Sequence, residues 1–232
     1  MFQEIQECDQ LRLPEKICEP DSRTYSFVRV DLATGQTRQR VIDDQYEAVA
    51  CFTLNETVPN EVAIHFETAK NLYLYAWFVY RFYPVAEQQA LACLEFALRE
   101  KFSEYVADAK NKSKRGLEPG LKKLLGYAIK EGTVSNERFS TRERWAKDIA
   151  ENRHHFQKIE EMMNAGIDCW VEDESEVEVT EEDRDCDWLK IFLQAIPSIR
   201  NDYAHGSRTL KSNVRHSFEV VSEIINQLYP RK

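Results

Sequence analysis

The sequence predicts a mainly α protein, a helical bundle over residues 56–232 preceded by a small β-hairpin region over residues 1–55. Three observations predict it. From residue 59 onward apolar side chains recur at three- and four-residue spacings, as on the buried stripe of a helix. Residues 25–42 instead alternate with period two and are rich in β-branched and aromatic types. A chain of 232 residues that is 43% hydrophobic and 11% aromatic can bury a sizeable core, which excludes wholesale disorder.

In chain order, residues 25–32 read as a strand, 33–36 as a turn and 37–42 as the returning strand. Residues 47–54 fit either a third strand or a short helix. The helix from Pro59 carries Val62, Phe66, Ala69, Leu72, Tyr73, Ala76, Trp77 and Tyr80 on more than one stripe, which predicts a place at the centre of the bundle. Pro84 is expected to end it, because proline removes a donor and clashes with the preceding turn. A second helix over 85–108 has a narrower stripe of Leu91, Leu94, Leu98, Phe102 and Val106. Residues 110–120 form a basic loop, followed by a helix over 121–130 that stops at Gly132. Ser140-Thr-Arg-Glu143 fits a capping box for a helix running towards Met163. Residues 188–204 resume helical spacing, with Pro197 expected to kink or split them, and a last helix spans 209–229.

The net charge of −9 comes from 40 acids against 31 bases, but it is unevenly spread. Residues 172–187, an acidic insertion, hold ten acids and one base, so the remainder is neutral, and residues 110–158 are locally basic. The acidic run reads as a solvated loop, or as a segment that bears on a basic face of this chain or of a protein partner. Glu176 to Thr180 alternates and could make a short edge strand. Total acidity therefore does not exclude nucleic acid.

The first residues lack an apolar core and no run approaches the ~20 residues of a membrane span, so a cytoplasmic protein without membrane contact is expected. Its six cysteines are then free thiols, with Cys51 and Cys93 read as small buried hydrophobes. His65 reads as a core or semi-buried histidine and His216 has no evident partner. Adjacent His154 and His155 face about 100° apart on a helix and cannot chelate one ion as an i, i+4 pair would. No metal or cofactor is expected.

Chemistry concentrates in Ile199-Arg-Asn-Asp-Tyr-Ala-His-Gly206. Arginine keeps its charge and grips phosphate through a fork of donors, while histidine exchanges protons near neutrality. Asn201 and His205 are four apart and share a helical face, whereas Arg200 and His205 converge only where the helix ends, the arginine bends round or a second subunit contributes. Taken bare, the pair also fits a helix C-terminus capped by Gly206, where both cations favour the dipole.

Arg200-Asn201-x-x-x-His205 resembles the motif of the HEPN superfamily, and residues 90–102, Ala-Leu-Ala-Cys-Leu-Glu-Phe-Ala-Leu-Arg-Glu-Lys-Phe, resemble the second bundle helix of Apea-like HEPN proteins. The resemblance covers about residues 59–229. It implies a HEPN-like helical bundle that dimerises and brings two motifs into one cleft. Many such proteins are metal-independent endoribonucleases, often toxins or defence effectors. It further implies that His205 is the general acid or base, that Arg200 stabilises phosphoryl charge, and that Asn201 orients His205 or binds substrate. The variant motif that continues His-x-Tyr is not met, since Ser207 stands at that place. Glu95 matches an acidic position common in the second helix, and a solvated or arginine-paired role fits it equally. Lys112, Lys114 and Arg115 are the candidate RNA-phosphate contacts. The alternative function is a non-catalytic HEPN module that binds RNA or protein and dimerises.

Overall fold

The computed structural model describes residues 5–31, 34–113, 115–167, 169, 177–204 and 210–231. Among these, short 3₁₀ turns lead into a hairpin, β1 (Val28–Val30) and β2 (Thr37–Gln39), and then into nine helices. These are α1 (Ile42–Ala50), α2 (Asn60–Tyr75), α3 (Phe82–Lys101), α4 (Ser103–Lys112), α5 (Leu121–Lys130), α6 (Arg142–Ala165), α7 (Glu181–Arg184), α8 (Trp188–Ala204) and α9 (Arg215–Leu228). The protein is mainly α with a small antiparallel hairpin. No helix among the described residues is long and apolar enough to cross a membrane.

The hairpin is shorter than its alternation suggests. Val28 pairs with Gln39, Arg29 with Arg38 and Val30 with Thr37. Gly35 closes the turn in the left-handed region at φ +67°, where a side chain would be strained. Arg29 and Arg38, directly opposite, would repel. Asp44, in the first turn of α1, removes the conflict: it bonds both guanidinium groups, at 2.6 Å to Arg38, and accepts the Val41 N–H at 2.9 Å. Hydrogen bonding to Arg38 is the main influence holding its carboxyl below the ordinary range. That carboxylate caps the helix, which is why the chain after β2 becomes α1 rather than a third strand.

α3, not α2, is the central helix; it packs against α2, α5, α8 and α9. α2 buries one stripe, Val62, Phe66, Ala69 and Tyr73, and leaves Ile64 and Tyr75 exposed. In α3 the small residues Ala86, Ala90 and Ala97 alternate with Leu91, Leu94 and Leu98, all buried, so neighbours approach it from several sides. α2 ends at Tyr75 rather than at Pro84. The proline lies in the first turn of α3, where its missing N–H costs nothing.

The helix expected over 85–108 is two helices, because Phe102 leaves helical geometry at φ −115°, ψ 39°. The break lets Phe102 meet Tyr127 edge-on at 5.1 Å and lets Tyr105 stack on the same ring at 3.8 Å, folding α4 over α5. α5 has its expected bounds, with Gly132 left-handed beyond its end. The Ser140 capping box is absent: the Ser140 hydroxyl and N–H both go to Glu223 of α9, and Glu143 instead meets Arg184. Pro197 does not split α8, and α9 begins at Arg215, later than its periodicity suggests.

The described part of the acidic insertion is not a free loop. Asp183 is buried, bonded at 2.8 Å to Arg153 of α6 and at 2.8 Å to the Thr180 hydroxyl, which caps α7. The Arg184 carbonyl accepts from Arg142 at 2.9 Å. Residues 177–180 form no strand.

Candidate functional site

The site is built on the C-terminal end of α8. Leu189, Phe192 and Ile196, spaced three and four apart, are buried and seat this helix against α3 and α5. That seating carries Arg200 to α3, where its Nε lies 3.5 Å from Oε2 of Glu95. Glu95 is 12% exposed and Arg200 is 42% exposed, so the carboxylate is largely buried and the guanidinium reaches outward. The other Glu95 oxygen accepts from Arg99 at 2.7 Å, one helical turn on. Arg99 continues to Glu118, which takes Lys110 at 3.1 Å. The hydrogen bond from Lys110 is the main reason the Glu118 carboxyl stands below its ordinary value. A chain of alternating charges thus runs from the end of α4 to Arg200.

Of the residues singled out by sequence, the structure brings Arg200 and Glu95 together. Asn201 is exposed beside them. Lys112 pairs with Asp108 at 2.6 Å on its own helix, Arg115 is exposed, and no hydrogen bond or ion pair joins either to Arg200, Asn201 or Glu95 among the described residues. His205 and Lys114 lie outside the described residues.

A second carboxylate was missed by the sequence reading. Glu87, two turns before Glu95 on α3, is 1% exposed and takes three donors. The Tyr203 hydroxyl donates at 2.5 Å, the Ser217 hydroxyl donates at 2.5 Å, and the Lys211 ammonium lies at 3.0 Å. Burial, followed by this carboxylate, pushes the Tyr203 phenol well above its ordinary value. The Lys211 ammonium also sits 5.8 Å from the centre of the Tyr203 ring. Tyr203 precedes His205 by two places, while Lys211 and Ser217 follow it. One buried glutamate therefore pins the chain on both sides of His205. The signal in the sequence was a lone acid within the apolar, alanine-rich start of α3, which needs a buried partner to be tolerated there.

The remaining histidine readings change. His65 is exposed, tilted on Phe96 at 5.1 Å, because the buried stripe of α2 passes beside it. His216 has a partner after all: Nδ1 lies 3.4 Å from Glu219. Burial opposes ionisation of Glu219, but hydrogen bonds from His216, Arg144 and Trp145 win and bring it to about 2. Cys93 is buried as expected, whereas Cys51, just past the end of α1, is exposed. Among the described residues no three histidine, cysteine or acidic side chains cluster as a metal site would require. Comparison of the chain with protein-family models, with curated proteins and with solved structures gives no match.

Proposed function

We propose that this chain is a metal-independent endoribonuclease of the HEPN type, cytoplasmic and homodimeric, with Arg200, Asn201 and His205 as its site. The reading is supported above all by the Glu95–Arg200 ion pair. It joins the motif helix to the helix whose sequence resembles the second HEPN helix. His205 takes the proton of a ribose 2′-hydroxyl, the 2′-oxygen bonds to the adjacent phosphorus, and the bond from phosphorus to the 5′-oxygen breaks. The partner's His205, across the dimer cleft, returns a proton to the leaving oxygen. Arg200 offsets the charge gathering on the non-bridging oxygens. Glu87, through Tyr203, Lys211 and Ser217, is a positioning residue for the segment that carries His205. A toxin or defence effector is the setting such an activity fits.

The same ion pair favours a second reading. A guanidinium already compensated by Glu95 can serve as a tie between α8 and α3 in a non-catalytic module that binds RNA or a protein. Incubation with single-stranded RNA in EDTA separates the two. The first reading expects cleavage that falls by about 10²–10³ in Arg200→Ala. The second expects RNA binding without turnover, unaltered in His205→Ala.

A further inference from the structure

A cavity of about 620 Å³ opens between the hairpin, α1, α2, α3 and the chain that enters α9. Its size falls among small-molecule sites. Its floor includes Tyr73 and Tyr83, 4% and 1% exposed, whose rings meet edge-on at 5.3 Å. Its rim carries Arg40 and Arg215, and both guanidinium groups are near enough to act on the Tyr73 phenol.

These two arginines differ from most of their kind in this chain. Arg23, Arg29, Arg38, Arg81, Arg99 and Arg153 each hold a carboxylate. Arg40 meets the Gln45 amide oxygen at 3.4 Å, the face of Phe27 at 5.6 Å and the neutral Tyr73 hydroxyl. Arg215 donates to the Ala48 carbonyl at 2.9 Å and lies over Phe52 at 5.3 Å. Neither has a carboxylate partner among the described residues. The acids that also line the cavity, Asp44 and Glu47, are both bound by Arg29, and Asp44 by Arg38 as well. Two uncompensated, permanently charged forks therefore face one space with an aromatic floor, an arrangement suited to a phosphate attached to a ring or sugar.

We infer that this cavity binds a phosphorylated small molecule of about mononucleotide size, with its phosphate between Arg40 and Arg215 and its organic body against Phe27, Ala48 and the edges of Tyr73 and Tyr83. Arg200 is not among the residues that line it, so the inference stands or falls apart from the ribonuclease reading.

Calorimetric titration of the full chain with ribose 5-phosphate, AMP and inorganic phosphate at fixed ionic strength tests it. At least one of the two organic phosphates should bind with Kd below about 1 mM. Arg40→Gln should weaken that binding by about tenfold or more, as loss of a charge-assisted hydrogen bond does. Asn213→Asp should weaken it comparably by placing a carboxylate at the rim on an exposed residue, with the far-UV circular dichroism unchanged. Absence of binding by both organic phosphates, inorganic phosphate binding as tightly as they do, or full affinity in Asn213→Asp would each overturn the inference.

Discussion

Arg200 Nε lies 3.5 Å from Oε2 of Glu95, and this contact ties the last turn of α8 to the middle of α3. Because Arg200 is 42% and Arg99 29% exposed, water screens much of both attractions, and Glu95→Gln, which keeps an acceptor for Arg99, should change the unfolding free energy by about 1 kcal/mol or less. Its effect on RNA cleavage should be larger. A released arginine no longer meets the phosphate in one geometry, and the turnover rate should fall about tenfold or more. Urea unfolding and a cleavage time course on the same preparation check both halves. Unchanged cleavage would remove Glu95 from the site.

The buried glutamate should behave in the opposite way. Tyr203→Phe deletes one donor to Glu87 while keeping the ring, leaving a carboxylate that is 1% exposed short of a partner. The expected cost is about 1–3 kcal/mol, read from the shift in urea midpoint. Ser217→Ala should cost a comparable amount, and the double variant should be non-additive because both donors serve one carboxyl group.

Acid should loosen the fold through a small set of carboxylates. Glu219 is depressed from 4.5 to about 2, as its hydrogen bonds overcome burial. Asp183, held chiefly by Arg153, and Asp9, held chiefly by Arg81, are each depressed from 3.8 to about 2. A carboxyl group whose folded value lies below its unfolded one stabilises the fold fully above the unfolded value and ceases to as pH falls through the folded one. Stability should therefore be flat near neutrality and decline from about pH 4.5 to about pH 2. Urea midpoints across that range measure it, and Glu219→Gln should flatten part of the slope. A profile that declines only above pH 5, about half a unit over the Glu219 reference, would contradict the assignment.

The acidic insertion should come loose when its anchor is removed. Arg153→Met deletes the 2.8 Å bond to Asp183 and should speed amide exchange over residues 180–185 several-fold, with the exchange of α3 unchanged. Peptide-resolved exchange with mass readout follows both segments at once. Equal rates in parent and variant would show that the segment is held by something other than this pair.

How much of this was legible in the sequence depends on the kind of interaction. The bounds of α5 could be read because its apolar stripe and its left-handed Gly132 are local signals. The break at Phe102 could not, because an aromatic residue only mildly disfavours a helix and its fate is set by Tyr127, distant in sequence. The central place of α3 was obscured for a related reason. Counting large apolar residues favours α2, whereas alanines that admit close neighbours decide which helix lies inside. At the site, Arg200 and Asn201 stood out as chemistry in an apolar context, but Glu87 did not, since its three donors come from α8, from α9 and from the segment between them. The net charge of −9 suggested nothing about Asp183, which is buried against Arg153 of α6.

In the proposed function, Arg200 and His205 break RNA by attack of the ribose 2′-hydroxyl. The most direct measurement is the chemistry of the new RNA ends after incubation of the homogeneous protein with single-stranded RNA in EDTA. The parent protein should leave 2′,3′-cyclic phosphate and 5′-hydroxyl ends, and His205→Ala should leave neither. Intact RNA after prolonged incubation, or the same products at the same rate from His205→Ala, would contradict it.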